Sequence, residues 1–136
     1  MFYDMKDKLK TADVQHIFAA CVYDNSPEGI TCTLNAYGDN NLWEMHGWVE
    51  NGNLMGICGF EVHSKYVEIK HIAVHENNRG HGIGSAMVNA LAAKFNMAVH
   101  AETDDDAVDF YRKCGFETTA FQKYNVRRWK CELRQL

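Results

Sequence analysis

The residues best suited to chemistry lie in one glycine-rich stretch, residues 78–85, with the sequence NRGHGIGS. Its three glycines let the backbone approach a ligand closely, because no Cβ stands in the way. An apolar segment, 69–74, precedes the stretch, and a helix-like segment, 86–95, follows it. Free N–H groups at the start of a helix attract anions, and Arg79 adds a guanidinium with a fork of donors. The stretch therefore predicts a site for phosphate groups.

Two common phosphate loops fit this stretch poorly. A P-loop ends in Gly-Lys-Ser or Gly-Lys-Thr, and residues 78–85 contain no lysine. A dinucleotide-binding loop has the pattern G-x-G-x-x-G. Here the third glycine comes one residue early and Ser85 takes its place, although Glu102 lies near where a ribose-binding acid would stand. The dinucleotide interpretation, which would make the chain part of an oxidoreductase, stays open at this point.

A third pattern matches better and is supported on both sides. Arg79-x-x-Gly82-x-Gly84 resembles the R/Q-x-x-G-x-G/A signature of the GNAT superfamily of N-acetyltransferases, which hold the pyrophosphate of acetyl-CoA. Residues 107–116 are similar to the family segment A-x-x-x-Y-x-x-x-G-F, which follows the fifth strand. Residues 68–74 look like the fourth strand. The order and spacing of all three pieces match, and the resemblance covers residues 43–124.

The resemblance implies one GNAT domain over residues 1–136: an α/β fold with a mixed, mostly antiparallel sheet, flanking helices and one parallel crossover at the CoA-binding loop. It implies acetyl-CoA as co-substrate and direct attack by an amine of a small molecule or peptide. The implied cofactor-binding residues are Ile72, Ala73, Val74, Arg79, Gly80, His81, Gly82, Ile83, Gly84, Ser85, Asp104 and Tyr111. A non-catalytic acyl-CoA-binding or regulatory module on the same fold is the alternative, and a homodimer is left open.

Tyr111 and Glu68 are the predicted catalytic pair. Tyr111 matches the family tyrosine that stands beside the coenzyme sulfur and can protonate the leaving thiolate, and Glu68 matches a strand-borne general base. An alkyl amine has a pKa of about 10.4, so a base must help at neutral pH. Asp104 stands where the family often has an asparagine against the pantetheine arm, and it is also a plausible helix N-cap.

Two histidines are alternative bases, because an imidazole titrates near neutral pH. Strict strand alternation puts Glu68 on one face with Lys70, and His71 on the other face with Ile69. His46 is the second alternative. Glu44, Trp43 and Trp48 are candidates for contact with the acceptor.

Composition excludes several other classes. The net charge of −4 argues against a nucleic-acid partner, and no apolar run is long enough for a membrane span. The five cysteines form an odd set without a C-x-x-C pair, which indicates reduced thiols and a cytoplasmic location. The N-terminus does not resemble a signal peptide. No compact Cys/His ligand set is visible, so no metal is expected, and Cys114 lacks a paired base for a ping-pong mechanism.

The elements that must position these residues follow from periodicity and turn signals. Residues 1–10 have a weak strand pattern, so the first strand of the fold is expected to be short or absent. Asn51-Gly52 predicts a tight hairpin turn. Gly115 is a natural helix stop. The predicted helices are 12–23, 28–36, 82–95 and one that includes 107–114, and the predicted strands are 43–49, 54–62, 66–74, 97–102, 116–124 and 127–133.

Overall fold

The structure is a computed structural model that describes residues 1–134, so the last two positions of the predicted domain lie outside the described residues. Its strands are β1 (Phe2–Asp4), β2 (Trp43–Glu50), β3 (Asn53–Val62), β4 (Tyr66–Val74), β5 (Ala98–Thr103), β6 (Glu117–Lys123) and β7 (Val126–Leu133). Its α-helices are α1 (Ala12–Phe18), α2 (Pro27–Asp39), α3 (Ile83–Phe95) and α4 (Val108–Lys113). Single 3₁₀ turns lie at Lys6–Lys8 and Glu76–Asn78. None of the helices within residues 1–134 is long and apolar enough to cross a membrane.

All seven strands form one sheet in the order β1-β2-β3-β4-β5-β7-β6. Every neighbouring pair is antiparallel except β4 and β5, which are joined through α3 and run parallel. Their pairing runs from Tyr66 opposite Ala98 to Ile69 opposite Ala101 and ends there. The rest of β4 therefore has an open edge on the β5 side, directly before the glycine-rich loop. The predicted fold class is confirmed.

Each face of the sheet is covered by two helices. One core contains Phe60, Met87 and Leu91 and packs α3 and α4 against the sheet. The other contains Phe18 and Tyr37 and packs α1 and α2 against the opposite face. Burial of a large apolar side chain contributes about 1.5–3 kcal/mol, so these two layers fix the positions of the strand ends between them.

The turns follow the sequence signals closely. Asn51 and Gly52 both have positive φ, 52° and 77°, as a two-residue hairpin turn requires. β1 is present and short, and Phe2 pairs with Trp48 of β2. Gly115, at φ 94°, ends α4 as predicted. Its N–H donates to the Arg112 carbonyl, and the next N–H reaches back to Tyr111, which is the hydrogen-bond pattern of a Schellman motif.

The predicted first helix, 12–23, is wrong beyond Phe18. After Phe18 the hydrogen bonds change to i→i+3 turns, from Ala20 to Ile17 and from Cys21 to Phe18. The chain must then turn back toward α2. The Asp24 carboxylate fixes that turn by accepting hydrogen bonds from both the backbone N–H and the hydroxyl of the residue that caps α2. Residues 19–25 are therefore a loop, which long-range packing requires and apolar periodicity does not reveal.

A β-bulge breaks the alternation predicted for β4. The register shifts between Gly59 and Phe60, which pair with His71 and Ile69, so Lys70 is the extra residue. The prediction that His71 shares a face with Ile69 is therefore wrong. His71 lies on the opposite face of the sheet, against α1 and α2.

Candidate active site

The glycine-rich loop presents its backbone to open space at the start of α3. Gly80 and Gly82 have positive φ of 82° and 79°, and a Cβ built on either would meet no atom within 4 Å. Gly82 is the N-cap of the 13-residue helix α3. The N–H groups from Gly80 to Ser85 have no backbone or side-chain acceptor within residues 1–134. Unsatisfied N–H groups at a helix start form a ready anion site.

Arg79 stands at the entrance of the same loop. Its Nε donates to the carbonyl of Val74 at 3.1 Å, which ties the side chain to the end of β4. Within the described part of the chain its guanidinium forms no ion pair, so its remaining N–H groups are available to an anion.

A cleft of about 830 Å³ runs from this loop along the open edge of β4 to α4. All of the sequence-predicted cofactor-binding residues line it except His81, and the predicted acid Tyr111 lines it as well. Glu68 does not line it. The cleft lies where β4 and β5 are no longer paired, and it connects the glycine-rich loop with Tyr111.

Gly84 has a different role from its neighbours in the loop. A Cβ at Gly84 would lie 2.7 Å from Cε1 of Phe110, so this glycine lets α4 pack closely on α3. Its N–H still belongs to the free set at the helix start. One motif thus combines two glycines that face open space with a third that faces the ring of Phe110.

Tyr111 lies on α4 with only 6% of its surface exposed. Its ring contacts Phe110 and Phe116 at 5.1 and 5.2 Å between centroids. Its hydroxyl has no hydrogen-bond partner within residues 1–134 and is not fully buried. Since Tyr111 lines the cleft, this hydroxyl is accessible from it. Burial raises the pKa of Tyr111, so the hydroxyl is protonated at neutral pH.

Asp104 caps the turn that leads into α4 rather than α4 itself. Its Oδ1 accepts from the N–H groups of Asp106 and Ala107, both at 3.0 Å. Ala107, not Asp104, is the N-cap residue of α4, which corrects the capping prediction. Because this carboxylate is already engaged with backbone donors, its contact with a pantetheine arm stays a prediction.

Glu68 lies in a cluster of charges beside the cleft. Its carboxylate is 3.2 Å from Nε2 of His63 and 3.5 Å from Nζ of Lys70, and Lys70 also pairs with Glu61 at 3.2 Å. The side chain of Glu68 is 34% exposed. The role of Glu68 as a base stays a prediction, and a proton would have to reach it from the cleft through water.

The other polar candidates lie away from the cleft lining. His46 is buried, its Nδ1 has no partner among the described residues, and burial lowers its pKa. Glu44 is 3.9 Å from Nζ of Lys6. The Trp43 ring lies under the ammonium of Lys70 at 4.7 Å. The cleft lining includes none of the four candidates His46, Glu44, Trp43 and Trp48.

His71 does line the cleft, and residues of α1 and α2 contact its ring on the side away from the cleft. The Tyr37 hydroxyl on α2 lies 2.6 Å from Nδ1 of His71, and the Phe18 ring lies 4.8 Å from the imidazole centroid. Burial, and then the charge of Lys70, lowers the pKa of His71 to about 4. The imidazole is therefore neutral at physiological pH.

Sequence reasoning missed part of the cleft wall. The loop after α1 contributes residues 20–23, which the sequence placed in a helix. Arg128 on β7 also lines the cleft and pairs with Glu102 at 3.1 Å, so Glu102 is occupied by a cation. No local pattern identifies these residues, because the sheet order brings them together.

The structure also gathers side chains that the sequence left apart. Nε2 of His16 is 2.7 Å from Oε1 of Glu76, and the rings of His16 and His75 are 5.1 Å apart. Their ligand-type atoms lie within 4.8 Å of one another. The Nδ1 of His75 already accepts the N–H of Asn77 at 3.1 Å. The expectation of no metal site stays a prediction.

Comparison with known proteins agrees with this geometry. The family described as the acetyltransferase (GNAT) domain matches residues 42–118. An uncharacterised N-acetyltransferase in the lysA 3′ region of Bacillus methanolicus is 37% identical over 60 residues, which cover 43% of this chain and 50% of that protein. The chain thus spans about half the length of that curated relative.

Solved structures share the whole fold. A putative GNAT acetyltransferase from Desulfovibrio desulfuricans superposes with a TM-score of 0.80 at 13% identity, over 100% of this chain and 99% of that one. A GNAT acetyltransferase from Elizabethkingia anophelis with acetyl-CoA bound gives 0.71 at 16% identity, over 98% and 97%. This chain belongs to the GNAT acetyltransferase family.

Proposed function

We propose that this protein is an acetyl-CoA-dependent N-acetyltransferase that acts on a primary amine of a small molecule or peptide. One observation carries the proposal: Gly80 and residues 82–85, whose N–H groups are free, line the same cleft as Tyr111. A phosphate site and a proton donor on one continuous wall suit a ligand with a pyrophosphate at one end and a thioester at the other.

The cofactor would lie along this wall. The N–H groups from Gly80 to Ser85, together with Arg79, would hold the pyrophosphate. The backbone of Ile72 to Val74 would bind the pantetheine arm, since β4 has no β5 partner beyond Ile69. Asp104 and Tyr111 would flank its distal end.

The acetyl transfer itself needs two proton movements. Acetyl-CoA supplies the acetyl thioester. The lone pair of the amine attacks the carbonyl carbon, the carbon–sulfur bond breaks, and the thiolate takes a proton from the Tyr111 hydroxyl. The amine nitrogen loses one proton, through water, to Glu68. Holding both substrates in one cleft supplies much of the remaining rate enhancement through proximity.

The test has two stages. Calorimetry with acetyl-CoA, CoA and NAD should show micromolar binding of the first two and none of the third; binding of NAD alone would overturn the cofactor assignment. Thiol release should then be followed across a panel of polyamines, amino acids, aminoglycosides and peptides with free N-termini. Binding of acetyl-CoA without turnover of any amine, under conditions where a control acetyltransferase is active, would identify the non-catalytic module instead.

A further inference from the structure

The Tyr37–His71 pair is a built feature of the cleft wall. The bulge in β4 turns His71 toward α2, and Gly59 lies opposite it on β3. A Cβ on Gly59 would collide with the Tyr37 hydroxyl, so the absence of a side chain there is what lets Tyr37 reach the imidazole. Tyr37 itself is fully buried. Three separate elements thus combine to place one hydroxyl on one ring nitrogen.

The donor in the hydrogen bond between Tyr37 and His71 follows from the number of hydrogens that each group carries. Burial raises the pKa of Tyr37 far above its ordinary range, so the hydroxyl keeps its proton. Within residues 1–134 its one hydrogen-bond partner is Nδ1 of His71. If Nδ1 were the donor, the Tyr37 proton would be buried without an acceptor, at a cost of about 1–3 kcal/mol. The Tyr37 O–H therefore donates to Nδ1.

The other ring nitrogen must then carry the proton. A neutral imidazole has one N–H, and with Nδ1 as acceptor that N–H is at Nε2. Nε2 of His71 has no hydrogen-bond partner within the described residues, and this atom is not fully buried. Since His71 lines the cleft, its Nε2–H is accessible to a ligand there.

We propose that His71, oriented by Tyr37, is a hydrogen-bond donor to a carbonyl-type oxygen of a bound substrate and does not serve as the general base. The proposal rests on the proposed acetyl transfer. It makes His71 a binding residue and Tyr37 a positioning residue. The oxygen has two sources: the thioester carbonyl of acetyl-CoA, or an oxygen next to the amine of the acceptor.

The tautomer is measured directly on the wild-type protein without substrate. Nitrogen-15 NMR of the histidine rings distinguishes protonated from bare ring nitrogens. At pH 7.5 the His71 signals should show a bare Nδ1 and a protonated Nε2, and Tyr37→Phe should shift them toward a mixture of tautomers. A bare Nε2 in the wild type would overturn the proposal. Because this measurement needs no turnover, it is independent of whether the protein acetylates amines.

The donor role is tested with two substitutions that differ in one property. His71→Gln keeps an N–H donor near the position of Nε2, whereas His71→Leu keeps similar bulk and removes it. Loss of one donor to a substrate oxygen should lower kcat/KM by about tenfold or more in His71→Leu, and His71→Gln should stay within a few-fold of wild type. Equal loss in both folded variants would overturn the proposal. Should His71→Leu fail to fold, the wild-type NMR result and His71→Gln decide.

The same pair identifies the oxygen. A lower affinity of His71→Leu for acetyl-CoA, with unchanged affinity for CoA, assigns the thioester carbonyl. A higher KM for the acceptor, with unchanged affinity for acetyl-CoA, assigns an oxygen of the acceptor. A lower kcat with both affinities unchanged assigns the thioester carbonyl, whose oxygen gains negative charge during attack. Each of these results supports the donor role, whereas unchanged kcat, KM and affinities would contradict it.

Discussion

The two walls of the cleft are built in different ways. The loop wall, from the end of β4 through the glycine-rich turn to α4, is drawn from two stretches of sequence, residues 72–85 and 102–111, and includes the free N–H groups of the glycine-rich turn. The opposite wall, formed by His71 and the loop after α1, depends on contacts between distant residues; Tyr37 and His71 are 34 positions apart. The first wall follows from local conformational rules, and the second from packing between layers.

This difference determines how each wall should respond to mutation. At the glycines of the loop wall, phosphate binding depends on φ angles and on the absence of Cβ atoms, so a change of shape should matter more than a change of charge. At Tyr111 and on the opposite wall, single polar groups of side chains carry the chemistry. Substitutions that alter one property at a time therefore test whether the two walls differ in this way.

The largest effect is expected at Gly82. Gly82→Val places a β-branched side chain where phosphate would approach, and it forces a residue at φ 79° out of its conformation. Loss of two or more hydrogen bonds to a charged ligand should weaken CoA binding at least about a hundredfold. Gly52→Val is the matched control, since Gly52 has φ 77° and equally open surroundings but lies in a remote hairpin. Calorimetry should show wild-type CoA affinity in the control; equal affinities in both variants would disprove the pyrophosphate assignment.

Tyr111→Phe should have the next largest effect, on turnover rather than on binding. The substitution removes one hydroxyl and keeps the ring that packs against Phe110 and Phe116. General-acid help is worth about a hundredfold or more, so kcat should fall by that factor while the affinity for acetyl-CoA hardly changes. Tyr66→Phe, which alters a tyrosine outside the cleft lining, is the control. Wild-type turnover by Tyr111→Phe would leave Tyr111 a purely structural residue.

The same contrast explains what the sequence could predict. The loop wall can be predicted from the sequence because Gly80, Gly82 and Tyr111 lie at fixed spacings next to a strand and a helix. The face of His71 was wrongly predicted because a bulge depends on the partner strand, where Gly59 and Phe60 shift register. The end of α1 was wrong for a related reason, since the return of the chain to α2 is a tertiary requirement.

Glu68→Gln should have a smaller effect. If Glu68 accepts the amine proton through water, the substitution should slow turnover by about ten- to a hundredfold and flatten the rising acid limb of the pH–rate profile. Glu61→Gln is the control, because Glu61 belongs to the same charge cluster through Lys70. Steady-state kinetics across pH distinguish a proton-accepting role of Glu68 from a general effect of removing one charge from the cluster. An unaltered profile in Glu68→Gln would move the base to a histidine or to water.

His71 should also make stability depend on pH. Its pKa is about 4 in the folded protein and about 6.5 in the unfolded chain, so the unfolded state takes up a proton first. Above pH 6.5 the residue has no effect, and as pH falls from 6.5 to 4 it destabilises the fold. Because the ring is partly open to the cleft, about 1–2 kcal/mol is expected. Urea unfolding at pH 7.5 and 4.5 should show a smaller difference for His71→Gln; an identical difference would place His71 in a more solvated site.

The smallest effect is expected for a charge that supports the loop wall from outside. Asp105 accepts both Nε and a terminal nitrogen of Arg127 at 2.8 Å, and Nε1 of Trp129 at 2.7 Å. Hydrogen bonds from Arg127 and Trp129 lower the pKa of Asp105 to about 2. Its contribution to stability is therefore present above about pH 4 and is lost as pH falls from 4 to 2.

Asp105→Asn should remove that acid-dependent part and leave CoA binding unchanged, because the wall is held by backbone geometry. The pair is exposed, so salt screens it and the loss near neutral pH should be barely measurable. Asp106→Asn is the control, since the Asp106 carboxylate forms no ion pair within residues 1–134. Denaturation between pH 2 and pH 5, with calorimetry against CoA, makes the comparison. A marked loss of CoA affinity in Asp105→Asn alone would mean that charge, as well as backbone shape, maintains the loop wall.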